Sequence, residues 1–273
     1  MTLRIGFVGL GNIGKPMAMN LVTAGYDLMV HDVRPEPLAE LAAAGARTAG
    51  SLRDLGAHAE IIEIVVMDDA QVEAVTTGPG GVLETMQPQS IIAIHSTVLP
   101  ETVRKVAEVA SGRGVTVIDA QISGGAMGAS KGTLCYMVGG DKAAFERCRP
   151  VFGTSGENIF HLGALGSGAT MKLVHNMVSY INMLATSEGM RLIEKTGIDP
   201  QTFCTVMHAS AGQSRATDNW LQRNANRGHD PARPDRLSRL IHKDLHLVLE
   251  LGRHLGVSLP AGQLAERSVD SFM

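Results

Sequence analysis

Three groups of residues combine types and spacings that can do chemistry. The first centres on Lys172, the only formal charge between Ser167 and Ser187 in the stretch GSGATMKLVHNMVSYINMLATSEGMRLIEKTG, residues 166–197. That stretch lacks proline, starts on small residues and stops at Gly197, so it predicts one unbroken helix, roughly 45 Å long at about 1.5 Å per residue. A helix apolar on most sides is a buried one, and a lysine early in it is either desolvated or faces a cavity. Desolvation and the positive end of the helix dipole both disfavour the ammonium form, which moves such a lysine toward general acid/base work. Asn176 follows one turn later on the same face. The plain alternative is a lysine whose head snorkels to solvent near a helix end.

The second group is the glycine pattern Gly9-Leu10-Gly11-Asn12-Ile13-Gly14, set between the apolar strand RIGFVG and the helix KPMAMNLVTAG, with Asp32 closing the next strand. A lone pattern of this kind is weak, but the strand–turn–helix setting and the acid downstream strengthen it. Gly9 would make the turn, Gly11 would let a pyrophosphate reach the backbone, and Gly14 would let helix and strand pack closely. The pyrophosphate would rest on the helix N-terminus, and Asp32 would bond an adenosine ribose. The third group is Asp119-Ala120-Gln121-Ile122-Ser123-Gly124-Gly125, where Ser123, Gly124 and Gly125 read as a loop whose exposed N–H groups hold a carboxylate.

These groups need elements to position them. The apolar runs RIGFVG, DLMVHD, EIIEIVVM, SIIAIHS and VTVIDA alternate with helical patterns starting near Gly14, Pro35, Ser51, Asp69 and Pro100. Strands separated by helices of that length predict a parallel, doubly wound sheet, with ligands outside the strands' carboxyl ends. Those ends carry Met67-Asp68, Ser96-Thr97 and Ser123-Gly124-Gly125. TLCYMVGG, a helix from Asp141 to Val151 and NIFHLG complete the sheet region. Beyond Gly197 the pattern is helical only: Pro200–Ser210, a segment around Trp220, Arg236–Leu255 and Pro260–Phe272. The fold expected is α/β, with a dinucleotide-binding domain over residues 1–165 and a long helix plus all-α domain over 166–273. The arginines at 223, 227, 233 and 236 read as a solvated surface.

Composition narrows the function classes. With 24 Lys+Arg against 27 Asp+Glu the formal net charge is −3, which gives no reason to expect nucleic acid or an anionic membrane. No apolar run is long enough to span a bilayer uninterrupted. Cys135, Cys148 and Cys204 are scattered without metal-type spacing, so reduced thiols and no bound metal are expected. A strand already under way at Arg4 leaves no room for a leader, and the expected location is cytoplasmic.

Taken together, GLGNIGKPMAMNL, DAQISGG, GTLCYMVGG, GSGATMKLVHN and KDL occur in the order found in β-hydroxyacid dehydrogenases, and the chain resembles that family from about Arg4 to Leu259. The resemblance implies a Rossmann domain, a long interdomain helix, an all-helical domain and a homodimer or tetramer. It implies hydride transfer between NAD(P) and a small β-hydroxy acid such as 3-hydroxyisobutyrate, or the matching semialdehyde. By matching motif, Lys172 is the catalytic lysine and Asn176 a substrate contact, while Ser123, Gly124 and Gly125 hold the substrate carboxylate. Ser96 and Thr97 match the contact to the nicotinamide end, Met67 and Asp68 lie in the loop near the adenosine, and Lys243 approaches cofactor and substrate. From its own surroundings, Lys243 followed by Asp244 reads as half of an ordinary helix salt bridge.

Asp32-Val33 stands where members preferring the phosphorylated cofactor show Asn-Arg, so NAD is expected rather than NADP. Gln121 replaces a usual proline, predicting a looser carboxylate loop, and Met67 replaces the usual residue of its loop. The chain ends about one helix before the usual family end, which predicts an altered dimer contact or a more open cleft. An imine reductase usually carries another residue at the lysine position. A non-catalytic dinucleotide-binding module would have lost either the lysine or the serine-glycine loop.

Overall fold

A computed structural model describes residues 3–225 and 233–272. The chain divides into two compact units, Met1–Lys172 and Leu173–Met273.

In the first unit, β1 (Arg4–Val8), α1 (Gly14–Thr23), β2 (Asp27–His31), α2 (Pro35–Ala43), β3 (Arg47–Thr48), α3 (Leu52–His58), β4 (Ile61–Ile64) and α4 (Asp69–Thr76) follow in order. After a 3₁₀ turn at Val82–Glu84 come β5 (Ile91–Ile94), α5 (Pro100–Ser111), β6 (Thr116–Ser123), α6 (Gly125–Lys131), β7 (Leu134–Gly139), α7 (Lys142–Phe152) and β8 (Gly156–His161). The strands form one sheet in the order β3-β2-β1-β4-β5-β6-β7-β8. β4 and β5 are buried at every residue, as strands covered on both faces must be. Two apolar clusters cover the sheet: Phe7, Met17, Leu21, Tyr136 and Phe152 belong to one, and Leu55, Ile62, Val72, Val103 and Val106 to the other.

Three departures from the sequence reading matter. The sheet is not parallel throughout, because β6 and β7 pair antiparallel before β7 and β8 pair parallel again. β6 runs on to Ser123, beyond the expected strand VTVIDA, so much of the segment expected as loop after Ala120 is strand, and α6 begins at once at Gly125. Pairing with β7 keeps Gln121 and Ile122 in the sheet, where the nearby serine and glycines had suggested a loop. β4 and β5 are also shorter than their apolar runs, since the chain leaves the sheet before Met67 and Ser96.

The long helix α8 spans Ser167–Thr196, thirty residues without a break. Within the second unit follow α9 (Pro200–His208), α10 (Arg215–Asp218), α11 (Trp220–Ala225), α12 (Arg233–His254), α13 (Pro260–Arg267) and α14 (Val269–Phe272). The single helix expected over Pro260–Phe272 is thus two, parted at Ser268. Leu173, Met183, Leu184, Ile241, Leu245, Val248 and Phe272 are buried here. Met177 packs against Gly262, where a Cβ would come within 3.1 Å of its sulfur. Met171, Val174 and Val178, at helical spacing along α8, stay 39–49% exposed, so α8 is not covered on every side. The side chains of the arginine-rich stretch from Arg223 to Arg236 lie outside the described residues. Among the described residues no helix is long and apolar enough to cross a membrane.

Candidate active site

The glycine turn between β1 and α1 is shaped by what a side chain would strike. Gly9 has φ +95°, its N–H reaches the carbonyl of His31 at 3.0 Å, and a Cβ there would lie 2.2 Å from the Val65 oxygen. At Gly14 a Cβ would lie 2.0 Å from the Gly9 oxygen, so only glycine lets α1 start this close to the strand. Gly11 differs: nothing lies within 4 Å of its missing Cβ. The backbone at Gly11 is therefore open to a ligand, while Gly9 and Gly14 are closed by packing. Asn12 is exposed, and Ile13 precedes an α1 N-terminus with no side-chain cap and no acid in its first turn. Such an end suits an anion. These residues fit a dinucleotide.

Asp32 follows β2 with a side chain only 6% exposed. It accepts from the Leu10 N–H at 2.6 Å and from Arg34 through the backbone N–H (2.9 Å), Nε (3.0 Å) and Nη2 (3.1 Å). Burial works against the carboxylate, but the Arg34 and Leu10 donors outweigh it and hold its pKa below the ordinary range. Arg34 is thereby engaged on Asp32.

The remaining strand ends are less free than the motifs suggest. Ser96 is buried, and its hydroxyl accepts from the Val66 N–H at 2.9 Å, tying the end of β5 to the end of β4. Thr97 beside it is half-buried. Met67 is 62% exposed, with its N–H on the Gln71 side chain. Asp68 caps α4, accepting from the Gln71 N–H at 2.9 Å.

At the end of β6 the chain brings two predicted groups together. The Lys172 ammonium donates to the Ile122 carbonyl at 2.7 Å, and Ser123, Gly124 and Gly125 follow directly. Gly124 and Gly125 have φ +135° and +64°, and nothing lies within 4 Å of a Cβ on Gly125. Cys135 pairs across the antiparallel register with Ser123. Burial pushes its thiol pKa up, and the Lys172 charge pulls it part of the way back. Gln121 is fully buried and donates from Nε2 to the Ile94 carbonyl at 3.1 Å, so it stitches β6 to β5 instead of loosening a loop.

In the second unit, Asn176 is buried and donates to Asp244 at 2.7 Å; the Tyr180 hydroxyl donates to the same carboxylate oxygen at 2.8 Å. Lys243 reaches the other oxygen at 2.9 Å, so the salt bridge read from sequence is present. Asp244 thus gathers two expected site residues, where the sequence pointed only to its pairing with Lys243. Asp119 has a role that the sequence reading does not name: fully buried, it accepts from the N–H groups of Gly166 (2.8 Å) and Ala169 (2.7 Å) at the start of α8. The signal for it in the sequence is an acid inside the motif DAQISGG.

Comparison with known proteins places this arrangement. Residues 4–163 match the family model described as the NAD binding domain of 6-phosphogluconate dehydrogenase. Residues 166–273 match the NAD-binding model of NADP-dependent 3-hydroxyisobutyrate dehydrogenase. A 3-hydroxyisobutyrate dehydrogenase of Pseudomonas aeruginosa is 38% identical over 268 residues, covering 96% of this chain and 89% of that one. The chain belongs to the β-hydroxyacid dehydrogenase family. It is an NAD(P)-dependent oxidoreductase acting on a CH–OH group. The solved Mycobacterium tuberculosis 3-hydroxyisobutyrate dehydrogenase with L-serine superposes with TM-score 0.85 at 30% identity, covering 100% of this chain and 94% of that chain. An imine reductase from Myxococcus stipitatus reaches TM-score 0.69 at 17% identity, covering 99% of this chain and 93% of that one, a likeness of fold alone.

Proposed function

We propose that this dehydrogenase oxidises a small β-hydroxy acid of the 3-hydroxyisobutyrate type, or reduces the matching semialdehyde, with NAD preferred over NADP. The observation that carries this reading is the Lys172 ammonium held at 2.7 Å on the Ile122 carbonyl, one residue before Ser123-Gly124-Gly125. A carboxylate lodged on those three residues places the hydroxyl of a short substrate within reach of the lysine. A bound nicotinamide dinucleotide would supply the hydride acceptor for the hydroxyl carbon in oxidation and, in its reduced form, the hydride donor in the reverse direction.

In oxidation the neutral amine of Lys172 takes the hydroxyl proton and becomes the ammonium; in reduction the ammonium returns that proton to the developing alkoxide and stabilises its charge. Ser123 and the glycine N–H groups orient the carboxylate, which turns a bimolecular encounter into a positioned one. Asn176 contacts the substrate and Lys243 the cofactor, both oriented by the Asp244 carboxylate. Gly9, Leu10, Gly11, Asn12, Ile13 and Gly14 cradle the pyrophosphate; Met67 and Asp68 border the adenosine, and Ser96 and Thr97 the nicotinamide end. Asp32 supports the choice of NAD, because a carboxylate repels a 2′-phosphate and Arg34 is already paired with it. The domain limits follow as 1–165 for the cofactor and 166–273 for the helical part. The exposed stripe Met171, Val174 and Val178 favours a homodimer or tetramer in which a second copy covers it. The expected location is cytoplasmic.

The test is NADH formation, followed by absorbance, over a panel of β-hydroxy acids, with semialdehydes and cyclic imines assayed in the reductive direction. Turnover of at least one β-hydroxy acid, faster with NAD than NADP, is expected. Turnover of imines without any hydroxy acid or semialdehyde would overturn the reading.

A further inference from the structure

The start of α8 is held only in part by its own sequence: the Ser167 N–H reaches the Ala164 carbonyl and the Thr170 N–H the Gly166 carbonyl, each at 3.0 Å. Gly166 precedes it at φ +93°, and the first N–H groups of an α-helix have no partners inside the helix. A carboxylate from the sheet supplies partners that the local chain does not. Asp119 Oδ1 accepts from Gly166 and Oδ2 from Ala169, so one side chain on β6 spans the first turn of the helix.

The packing around that carboxylate is built from missing side chains. A Cβ on Gly139, opposite Asp119 in the register, would lie 2.7 Å from Oδ1. A Cβ on Gly168 would lie 2.4 Å from the Met137 carbonyl and 2.9 Å from Asp119 Oδ2. Any other residue at either place would push the helix off the strand or displace the carboxylate. Three residues along the same strand, the Ile122 carbonyl takes the Lys172 ammonium. β6 therefore grips α8 twice, at its first turn through Asp119 and one turn on through Ile122, and then continues directly into Ser123-Gly124-Gly125.

We propose that Asp119 is the positioning residue for Lys172: its carboxylate sets the height and rotation of the first turn of α8, and through it places the lysine against the serine-glycine segment. This inference rests on the reading of Lys172 as the proton-transfer group. A helix rises about 1.5 Å per residue, so a slip of one residue moves the ammonium by more than a hydrogen bond tolerates. Burial pushes the Asp119 carboxyl above the ordinary range, and the Gly166, Ala169 and Gly168 N–H groups pull it back. Its position is therefore costly to keep without those donors, as expected of a residue kept for geometry.

The experiment is a double-mutant cycle on the full chain with Asp119→Asn and Lys172→Ala, using the hydroxy acid that the panel identifies. Asparagine keeps the size but offers one acceptor where the helix presents several donors. Asp119→Asn alone is expected to lower kcat by about 10- to 100-fold, the scale of an ångström-sized misplacement, with the Kd for NAD unchanged within about twofold. In the Lys172→Ala background the same change is expected to cost less than about twofold, because the group it positions is gone. Equal losses in both backgrounds, or an unchanged kcat in Asp119→Asn, would overturn the proposal. Gly168→Ala displaces the same turn by another route and is expected to give the same pattern; it carries the test if Asp119→Asn does not fold. Pulsed acetylation with acetic anhydride, read by peptide mass spectrometry, separates this proposal from the functional reading. If no substrate is turned over, the functional reading fails while Lys172 acetylation must still change by about threefold or more relative to Lys105 and Lys142 in Asp119→Asn. An unchanged relative rate overturns the positioning role.

Discussion

In the Gly9–Gly14 turn, position is set by side chains that are missing; at the start of α8 it is set by one carboxylate reaching a residue 47 places along the chain. The first arrangement is steric, closed at Gly9 by the Val65 oxygen across the sheet and at Gly14 by the Gly9 oxygen, and opened only at Gly11. The second is made of hydrogen bonds, which join β6 to Gly166 and to the helix that begins after two further strands. A steric device has little freedom to be nearly right, because a methyl group either fits or does not. The hydrogen-bonded device has a continuous adjustment, the height of α8 on the sheet, and so needs fixing points.

The sharpest way to separate the two is to remove the chemistry from one without touching the other. Lys172→Ala is expected to cut kcat by about 10²-fold or more, the scale of general acid/base catalysis, with the Kd for NAD nearly unchanged in a fluorescence titration. Near-normal turnover would take the lysine out of the mechanism.

Gly14→Ala attacks the other region. With its Cβ 2.0 Å from the Gly9 oxygen, the turn must open, and NAD is expected to bind about tenfold more weakly or worse, with a stability loss of about 1–3 kcal/mol by denaturant titration. Unchanged NAD affinity would mean that the turn does not carry the pyrophosphate.

Exchanging the cofactor sharpens the comparison more gently. Wild-type protein is expected to favour NAD by about tenfold in kcat/KM, a difference of about 1.4 kcal/mol. Asp32→Asn should narrow that ratio, and adding Val33→Arg should reverse it, since Val33 is 93% exposed and has room for a longer side chain. Equal use of both cofactors by the wild type would show that Asp32 does not meet the ribose.

The smallest effect is a pH dependence. The Asp32 pKa is depressed in the folded protein, so its stabilisation is present above the ordinary aspartate pKa of about 3.9 and is lost as pH falls through the folded value. The Tm difference between wild type and Asp32→Asn should therefore be largest near neutral pH and shrink in acid. A difference independent of pH would assign Asp32 a role other than a charged acceptor.

Distance along the chain decides what could be read from it. Gly9, Gly11 and Gly14 were legible because a strand–turn–helix unit is written in consecutive residues, Asp32 because it closes the next strand, and α8 because thirty residues run without proline. Asp119 was not, because its partners Gly166 and Ala169 become neighbours only once β6, β7 and β8 are in place. Gln121 was placed in a loop for the same reason: turn-type neighbours suggested a loop, whereas pairing with β5 and β7 makes it strand. Asp68 and Ser96 were read for their position at strand ends, and their side chains prove to cap α4 and to join β5 to β4. The antiparallel turn of β7 could not have been foreseen, since a short apolar run carries no direction.

That reversed strand gives the protein a chemical reporter. Because β7 runs against β6, its first residues lie at the carboxyl edge, and Cys135, a free and half-buried thiol, stands opposite Ser123 within the field of Lys172. A thiol alkylates through its thiolate, so the rate at Cys135 tracks the charge on the neighbouring amine. Iodoacetamide labelling of Cys135 is expected to slow in Lys172→Ala. Compared over pH between wild type and Lys172→Ala, the difference in rate would report the charge beside the thiol without any substrate or turnover.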